Sequence, residues 1–507
     1  MSALFPLGEL LLYSCDLSLA VLSGFVFALF NLFIGHYLTV SVSNNGRPDH
    51  FALLQCVIHF VSVGIACFFL SILHHFSINT ANQSVEVRLP TVYRRQLAIF
   101  VRDLTFLVAS ISIGCLSSLS LTIPVLVVPI VVIAWTTLFE KQKPPIVRGL
   151  FLAGPLCIFF VNLSLGGLYG TFLVDAKQLS QPGIIFTIVA GIGTSAIQFA
   201  KARAQFKPLS VNHHAPQLYV HDENLDKLEY EKNPVEQYTT DETAKEDEAE
   251  KGQHWTDDES DRLRKTRPTE IIRCWIGIQL SLLKKWPCQS AVGFFACLAH
   301  SFAYPVFTRL TGLFFSVFEQ KMGKKDESLL GDVLWICSAY AIVGMIVFGA
   351  VTLWNTVFGK MGLQLSSIMD CLKFSLLISI ASSLQNNRPM GLLAAVIFCC
   401  QLLFQHLACN YLNKSKNGRA IGFATTNGLQ QLSQAMAYAG GFILVKSELV
   451  SALNVFKIIQ TMHLGSMGMT SAVLLANDFE KGSKKMAWLS ANRKNTGKIS
   501  PKKTEKY

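Results

Sequence analysis

Charged residues are scarce in this chain of 507 residues. They make up 15% of the sequence, against roughly 25% in soluble domains, whereas 51% of the residues are hydrophobic and the mean hydropathy is +0.39. This composition excludes a soluble metabolic enzyme and a secreted disulfide scaffold. Apolar runs recur along the chain, and most of them are long enough to cross about 30 Å of hydrocarbon. The sequence therefore predicts an integral membrane protein.

Motifs that bind or activate a reacting group are also missing. The sequence contains no phosphate-binding G-x-x-x-x-G-K-[ST] loop, no G-x-S-x-G nucleophile motif and no H-E-x-x-H metal motif. The thirteen cysteines lack C-x-x-C spacing and lie mostly within apolar runs. We therefore expect no catalytic residue, no metal site and no cofactor in this chain. It should not be an enzyme by itself, and ATP would be bound only through a partner domain.

Twelve apolar runs predict twelve membrane-spanning helices in two groups of six. The runs lie near residues 19–40, 51–73, 99–119, 121–139, 149–173 and 183–200, and then near 290–318, 333–358, 372–383, 390–411, 421–445 and 452–476. Basic residues occur in alternate connections, for example Arg94, Arg95, Lys141 and Lys143, and such connections stay in the cytosol. The pattern predicts an all-α polytopic membrane protein with both termini cytosolic. The plasma membrane and the Golgi or ER membrane are the candidate locations.

The net charge of +11 is unevenly distributed along the chain. Sixteen of the 33 acidic residues lie between Asp222 and Asp261, whereas the basic excess lies close to the apolar runs, where anionic lipids attract it. The expected partner is therefore the lipid bilayer, and not a nucleic acid. Residues 208–268 are polar and predict a disordered cytosolic linker between two six-span halves. Residues 269–287 predict an amphipathic helix at the membrane surface, and residues 482–507 predict a basic cytosolic tail.

Polar side chains inside apolar runs are the main candidates for a solute path, because they are costly to place in lipid. Arg309 could lie on such a path, or it could extend toward the membrane surface or pair with another group inside the helix bundle. His463 could face a cavity or bond to a neighbouring carbonyl. Gln430 and Gln434 share one helix face, which could line a pore or hold helices together. His406 and nearby amides form another polar face, which favours hydrogen bonding between helices.

The second group of runs contains several segments with a family resemblance. They are Trp286-Pro287, Ala303-Tyr304-Pro305-Val306-Phe307, Phe358-Gly359-Lys360-Met361-Gly362, the stretch from Ser433 to Phe442, and Asn477-Asp478-Phe479-Glu480-Lys481. Through them, residues 281–490 resemble the second transmembrane domain of a P-glycoprotein-type (multidrug resistance) ABC exporter. The resemblance implies an ABC type-1-like transmembrane domain over residues 288–481 that moves apolar or amphipathic solutes. It also implies an ATP-binding subunit or a half-transporter as a partner.

The exporter resemblance also implies residues that contact the solute. Tyr438, Phe442, Met467 and Ser471 occupy positions that face the drug cavity in that family, and Gln431 lies on the same helix as the first two. Aromatic and methionine side chains supply adaptable apolar contacts, and amides and hydroxyls supply neutral hydrogen bonds. With the ionisable groups added, the substrate-facing candidates are Gln431, Tyr438, Phe442, Met467, Ser471, His463 and Arg309.

The chain differs from the exporter family on its cytosolic side. In that family, the second-to-third and fourth-to-fifth connections extend far into the cytosol, where they couple to ATP-binding domains. Here the corresponding connections, from Phe358 to Leu372 and from Tyr411 to Ile421, are too short to do so. A lysine-rich tail follows Lys481 in place of an ATP-binding domain.

The first group of runs has a different resemblance. It contains Leu22-Ser23-Gly24-Phe25-Val26-Phe27-Ala28, Glu140-Lys141-Gln142-Lys143 after an apolar run, and Gly183-Ile184-Ile185-Phe186. In these segments, residues 19–207 are similar to the first part of a drug/metabolite-type carrier of the nucleotide-sugar and triose-phosphate translocator group. This similarity implies a six-span carrier-like domain over residues 1–207. Such a carrier works by exchange or facilitated diffusion, without ATP.

Two functions remain open from the sequence. The first is solute transport, with an ABC-exporter-type domain fused to a nucleotide-sugar-transporter-like half. The second is a degenerate or fused membrane protein that transports nothing and only packs with other membrane subunits. The short connections favour the second function, whereas twelve well-oriented spans favour the first.

Overall fold

The computed structural model describes residues 5–42, 49–84, 91–139, 145–205, 287–321, 329–360, 364–412 and 416–467. Nearly all of these residues are helical and none is in a strand, so the all-α prediction is confirmed for the part of the chain that is described. The predicted linker, the predicted tail and residues 269–286 of the predicted surface helix lie outside the described residues. Within the described helices, the longer stretches without described side chains are residues 5–13, 74–84, 364–374 and 416–427.

Helices follow one another with short connections in both stretches. The first stretch contains α1 (Phe5–Val42), α2 (His50–Ser84), α3 (Thr91–Ser117), α4 (Leu119–Val125), α5 (Val127–Phe139), α6 (Pro145–Asp175) and α7 (Gly183–Gln205). The second contains α8 (Pro287–Lys321), α9 (Leu329–Lys360), α10 (Gln364–Asn386), α11 (Arg388–Leu412), α12 (Lys416–Lys446) and a final helix, α13, over residues 452–467.

The helices have the length and composition of a multi-pass membrane protein. Counted over the described residues, nine segments are long and apolar enough to cross a bilayer. One of them, Leu119–Phe139, comprises both α4 and α5. These two helices are separate because Pro129 has no N–H to donate to the carbonyl of Val125, where α4 ends. The total of twelve spans stays a prediction.

Helix α10 is longer than the apolar run that predicted it. The run covered residues 372–383, whereas the helix extends over Gln364–Asn386. Its hydropathy is reduced by Ser375, Ser379 and Ser383, which recur every fourth residue and therefore share one face. All three serines are buried, so this face points into the protein and not into lipid.

Helices from both sides of residues 206–286 belong to one compact unit. The two largest helix contacts, α6 with α9 and α2 with α12, each join one stretch to the other. Small residues permit this close approach. A Cβ atom on Gly149 of α6 would lie 2.9 Å from the Thr352 carbonyl oxygen of α9, and one on Gly64 of α2 would lie 2.8 Å from Ala435 of α12.

Helix α13 lies inside this unit. Most of its side chains from residue 452 to residue 462 are buried. It contacts α1, α7 and α8 through the pairs Ala452 with Tyr37, Phe456 with Phe186, and Thr461 with Thr308. The helix is therefore enclosed by protein on several sides, which allows polar side chains on it to avoid lipid.

The α6–α7 and α12–α13 hairpins are closed by the same kind of turn. Lys177 and Glu448 occupy equivalent places in these turns, and both have a φ of 57°. In each turn the next residue donates its N–H to a carbonyl five residues earlier, at 2.9 Å in the first turn and 3.0 Å in the second. This bond and the left-handed residue are the features of a Schellman helix end.

Candidate substrate-binding site

Buried polar side chains line the inward faces of four consecutive helices. On α10 they recur at every fourth residue, and on α12 the two glutamines are also four residues apart. Helix α11 contributes Gln401, one of its two buried glutamines, and α13 contributes a half-buried histidine. We call this set the polar cluster, and its members are Ser375, Ser379, Ser383, Gln401, Gln430, Gln434 and His463.

The position of the cluster along the helices can be measured from the point where α11, α12 and α13 pack against one another. A Cβ atom on Gly441 would lie 3.3 Å from a methyl group of Val455 and 3.4 Å from the methyl group of Met390. Gln434 is seven residues along α12 from that point, and His463 is eight residues along α13 in the same direction. At 1.5 Å per residue, both lie about 10–12 Å deeper, so they occupy one layer.

Contacts of α13 connect the layer to α10 and α11. The ring of His463 lies 6.5 Å from the ring of Phe398 on α11. Gln401 follows Phe398 by three residues on the same buried face. On α10, Ser379 lies against Gly465, where an added Cβ atom would be 2.7 Å from the Ser379 Cβ. The cluster is therefore one internal region shared by these helices.

Nine side-chain atoms of the polar cluster are buried without a hydrogen-bond partner among the described residues. Both polar atoms of Gln401 and both of Gln434 are included, as are three serine hydroxyls and Nδ1 of His463. Each unsatisfied group costs about 1–3 kcal/mol when it is buried. At that cost nine of them total about 9–27 kcal/mol, which equals or exceeds the whole stability of an ordinary domain, roughly 5–15 kcal/mol. The region is therefore expected to hold molecules that supply the missing hydrogen bonds.

Aromatic rings form a wall beside the cluster. Tyr438 is fully buried and its hydroxyl accepts a hydrogen bond from Gln460 Nε2 at 3.2 Å. Its ring stacks on Phe60 of α2 at 4.3 Å and contacts the edge of Tyr37 at 4.8 Å. Tyr37 in turn donates its hydroxyl to the Ala452 carbonyl at 3.1 Å. This aromatic wall joins α1, α2, α12 and α13.

Several residues predicted to face the solute lie close to this region. His463 belongs to the polar cluster, and Tyr438 belongs to the aromatic wall. Phe442, one turn from Tyr438, is half-buried against the core. Gln431 is also half-buried with an unsatisfied Oε1, but its backbone carbonyl faces Gly64 on α2.

The other predicted residues are placed differently. Met467 follows His463 by four residues and is 44% exposed at the end of the described part of α13. Arg309 is exposed on α8, between the buried residues Thr308 and Leu310. Ser471 lies outside the described residues. The structure therefore groups the candidates on α12 with His463 and leaves Arg309 apart from them.

Sequence reasoning missed part of the site. The sequence pattern did not indicate the three serines of α10, because serine is tolerated in membrane helices and the apolar run there is short. Their signal was the spacing of four, which places Ser375, Ser379 and Ser383 on one face. Gln460 was overlooked because it stands alone in an apolar run, and only its bond to Tyr438 reveals a role.

A second polar region joins α8, α9 and α13. Lys457 lies across Gly312, and its Nζ is 3.5 Å from Ser316 Oγ. On the neighbouring helices, the Tyr340 hydroxyl donates to Thr311 Oγ1 at 2.7 Å. Lys457 is six residues from His463, or about 9 Å along α13, and it faces another helix. In the described part of the chain, no group of three His, Cys, Asp or Glu side chains could hold a metal ion.

A comparison with protein-family models and with curated proteins finds no match for this chain.

Proposed function

We propose that this chain is a transport protein that moves amphipathic solutes across a membrane, and that the polar cluster lies on the solute path. The observation that carries the proposal is the set of nine buried, unsatisfied polar atoms. A membrane protein that served only as a packing partner would gain from apolar residues at these positions, because they would avoid the cost of unmade hydrogen bonds. A path for solutes needs such groups.

Similar helix contacts within the two stretches of helices provide further support. Helix α7, the last helix of the first stretch, packs against α1, α3, α5 and α6. Helix α13, the last helix of the second stretch, contacts α8, α10, α11 and α12, which occupy the corresponding places in their own stretch. The equivalent turns precede α7 and α13, and the α6–α9 contact has its counterpart in α2–α12. When a repeat contains an even number of spans, the next repeat starts on the same side of the membrane, so the two repeats have the same orientation. Secondary transporters are commonly built from such parallel repeats.

The chemistry of the site suits an amphipathic solute. Tyr438, Phe398 and half-buried Phe442 offer apolar surface, and Gln401 and Gln434 offer neutral hydrogen-bonding groups. The resemblance of residues 281–490 to an exporter domain points to the same class of solutes.

Facilitated diffusion or exchange is the mode of transport that we propose. Helices α9 and α10 are joined by three residues, 361–363, and α11 and α12 by three, 413–415. Connections of this length cannot reach far from the membrane to an ATP-binding partner. Exchange and facilitated diffusion need only that the solute site face each side in turn.

A non-transporting membrane interaction protein is the second candidate. The same three-residue connections favour it over an ATP-driven exporter. It predicts no solute flux in the purified protein, whereas the transport proposal predicts flux without ATP. Flux therefore discriminates between the two functions.

Solute uptake into proteoliposomes tests the proposal. Vesicles would contain the wild type, Gln434→Leu or Gln385→Leu, and the solutes would be myo-inositol, fluorescent NBD-glucose and rhodamine 123. We expect uptake of at least one solute above protein-free vesicles, a several-fold decrease for Gln434→Leu and no change for Gln385→Leu, because Gln385 is exposed outside the cluster. Absence of uptake of all three by folded wild type would favour the interaction protein.

A further inference from the structure

We propose that the polar cluster binds an uncharged solute that both donates and accepts hydrogen bonds, such as a polyol or an amide. The inference rests on the proposed function, because it names the solute class of the same site. It is carried by the kinds of atoms in the cluster that lack partners among the described residues and by the neutral amides and hydroxyls that make up most of the cluster.

The unsatisfied atoms include both donors and acceptors. The amides of Gln401 and Gln434 each present an oxygen that accepts and a nitrogen that donates. The hydroxyls of Ser375, Ser379 and Ser383 can do either. An apolar solute would leave all of these groups without hydrogen bonds. A solute with hydroxyl or amide groups can satisfy the donors and the acceptors together.

A charged solute is a poor match for the same region. Six of the seven cluster side chains are amides or hydroxyls, and none is a carboxylate, ammonium or guanidinium group. Burying an ion without an opposite charge is far more costly than burying a neutral polar group. The nearest cation along α13, Lys457, faces Ser316 on α8, and Arg309 is exposed.

The aromatic wall suits a compact solute with one apolar side. Phe398 lies against His463 within the layer, and Tyr438, one turn along α12 from Gln434, accepts a hydrogen bond from Gln460. A ring polyol has polar edges and a less polar face of C–H groups. It can therefore contact an aromatic ring with its face while its hydroxyls contact the glutamines and serines.

Protection of an introduced thiol tests the inference. Ser379→Cys would be prepared in the full chain and embedded in lipid nanodiscs, and the rate of its alkylation by N-ethylmaleimide would be followed by peptide mass spectrometry. Test solutes are myo-inositol, glycerol and acetamide, with glutamate and choline as charged controls. The exposed native Cys288 at the start of α8 reports on any general effect of the solutes on the reagent.

We expect at least one uncharged solute to slow alkylation of Ser379→Cys at least twofold, with no effect on Cys288 and none from the charged solutes. Equal protection by charged solutes, or protection by none, would overturn the inference. So would complete resistance of Ser379→Cys to N-ethylmaleimide, which is itself small and uncharged.

A second measurement guards against misfolding of that variant and separates binding from transport. The protecting solute should raise the thermal midpoint of the wild type and not that of Gln434→Leu. Protection without vesicle uptake would uphold the binding site and refute transport. Uptake without protection would uphold transport and refute the polar cluster as the solute-binding site.

Discussion

Replacing Gln434 by leucine should stabilise the protein while it removes transport. Gln434 is 1% exposed, and both its amide oxygen and its amide nitrogen lack partners among the described residues. Leucine has a similar volume and no polar atom, so the substitution relieves a penalty of about 1–3 kcal/mol. The thermal midpoint, followed by circular dichroism at 222 nm, should rise by roughly a few degrees. Uptake into vesicles should fall in the same variant.

The opposing changes in stability and transport are what make the experiment informative. If Gln434 served only to hold helices together, its loss would lower the thermal midpoint and the flux together. Gln385→Leu is the matched control, because Gln385 is exposed at the end of α10 and its loss should change neither quantity. A lower midpoint for Gln434→Leu would refute the conclusion drawn from the described residues, that this amide lacks a hydrogen-bond partner.

Three further results are expected. Gly465→Ala should lower the thermal midpoint by the equivalent of about 1–3 kcal/mol, because its methyl group would overlap Ser379, whereas Gly349→Ala, with open space around it, should not. Asp175→Ala should lower the midpoint by the equivalent of about 1 kcal/mol, because the Asp175 carboxylate accepts hydrogen bonds from the N–H groups of Leu329 and Leu330 at the start of α9. Asp175→Asn should lower the midpoint less. The purified chain should neither hydrolyse ATP nor retain it in equilibrium dialysis, and stoichiometric ATP binding would contradict this.

Hydrophobic runs were enough to predict helices and a membrane location, because twenty apolar residues in water have few alternatives to a spanning helix. They did not predict which helices meet. The α6–α9 contact depends on Gly149 and Gly344 fitting against the opposite helix, and many glycines in the sequence look equally suitable. Pairing of helices is decided by shape over long sequence distances, which a hydropathy pattern does not record.

The candidate site was predictable only in part, for a related reason. Gln430 and Gln434 stood out because two amides four residues apart are rare in an apolar helix. The serines of α10 did not stand out, because a single serine in a membrane helix can bond to its own backbone and needs no partner. Their importance arises from Gly465 and His463 on a helix some eighty residues away, which bring the serines into a region with unsatisfied amides.

Counterflow in proteoliposomes tests the central claim most directly. Vesicles containing the wild type would be loaded with unlabelled myo-inositol and diluted into a trace of the labelled solute, without ATP or an ion gradient. A carrier that exchanges solutes predicts transient accumulation of label above its equilibrium level, and Gln434→Leu should abolish the overshoot. The contradicting result is label that only equilibrates, at the same rate in wild-type and protein-free vesicles, with no overshoot. If NBD-glucose behaves in the same way, transport through the polar cluster is contradicted.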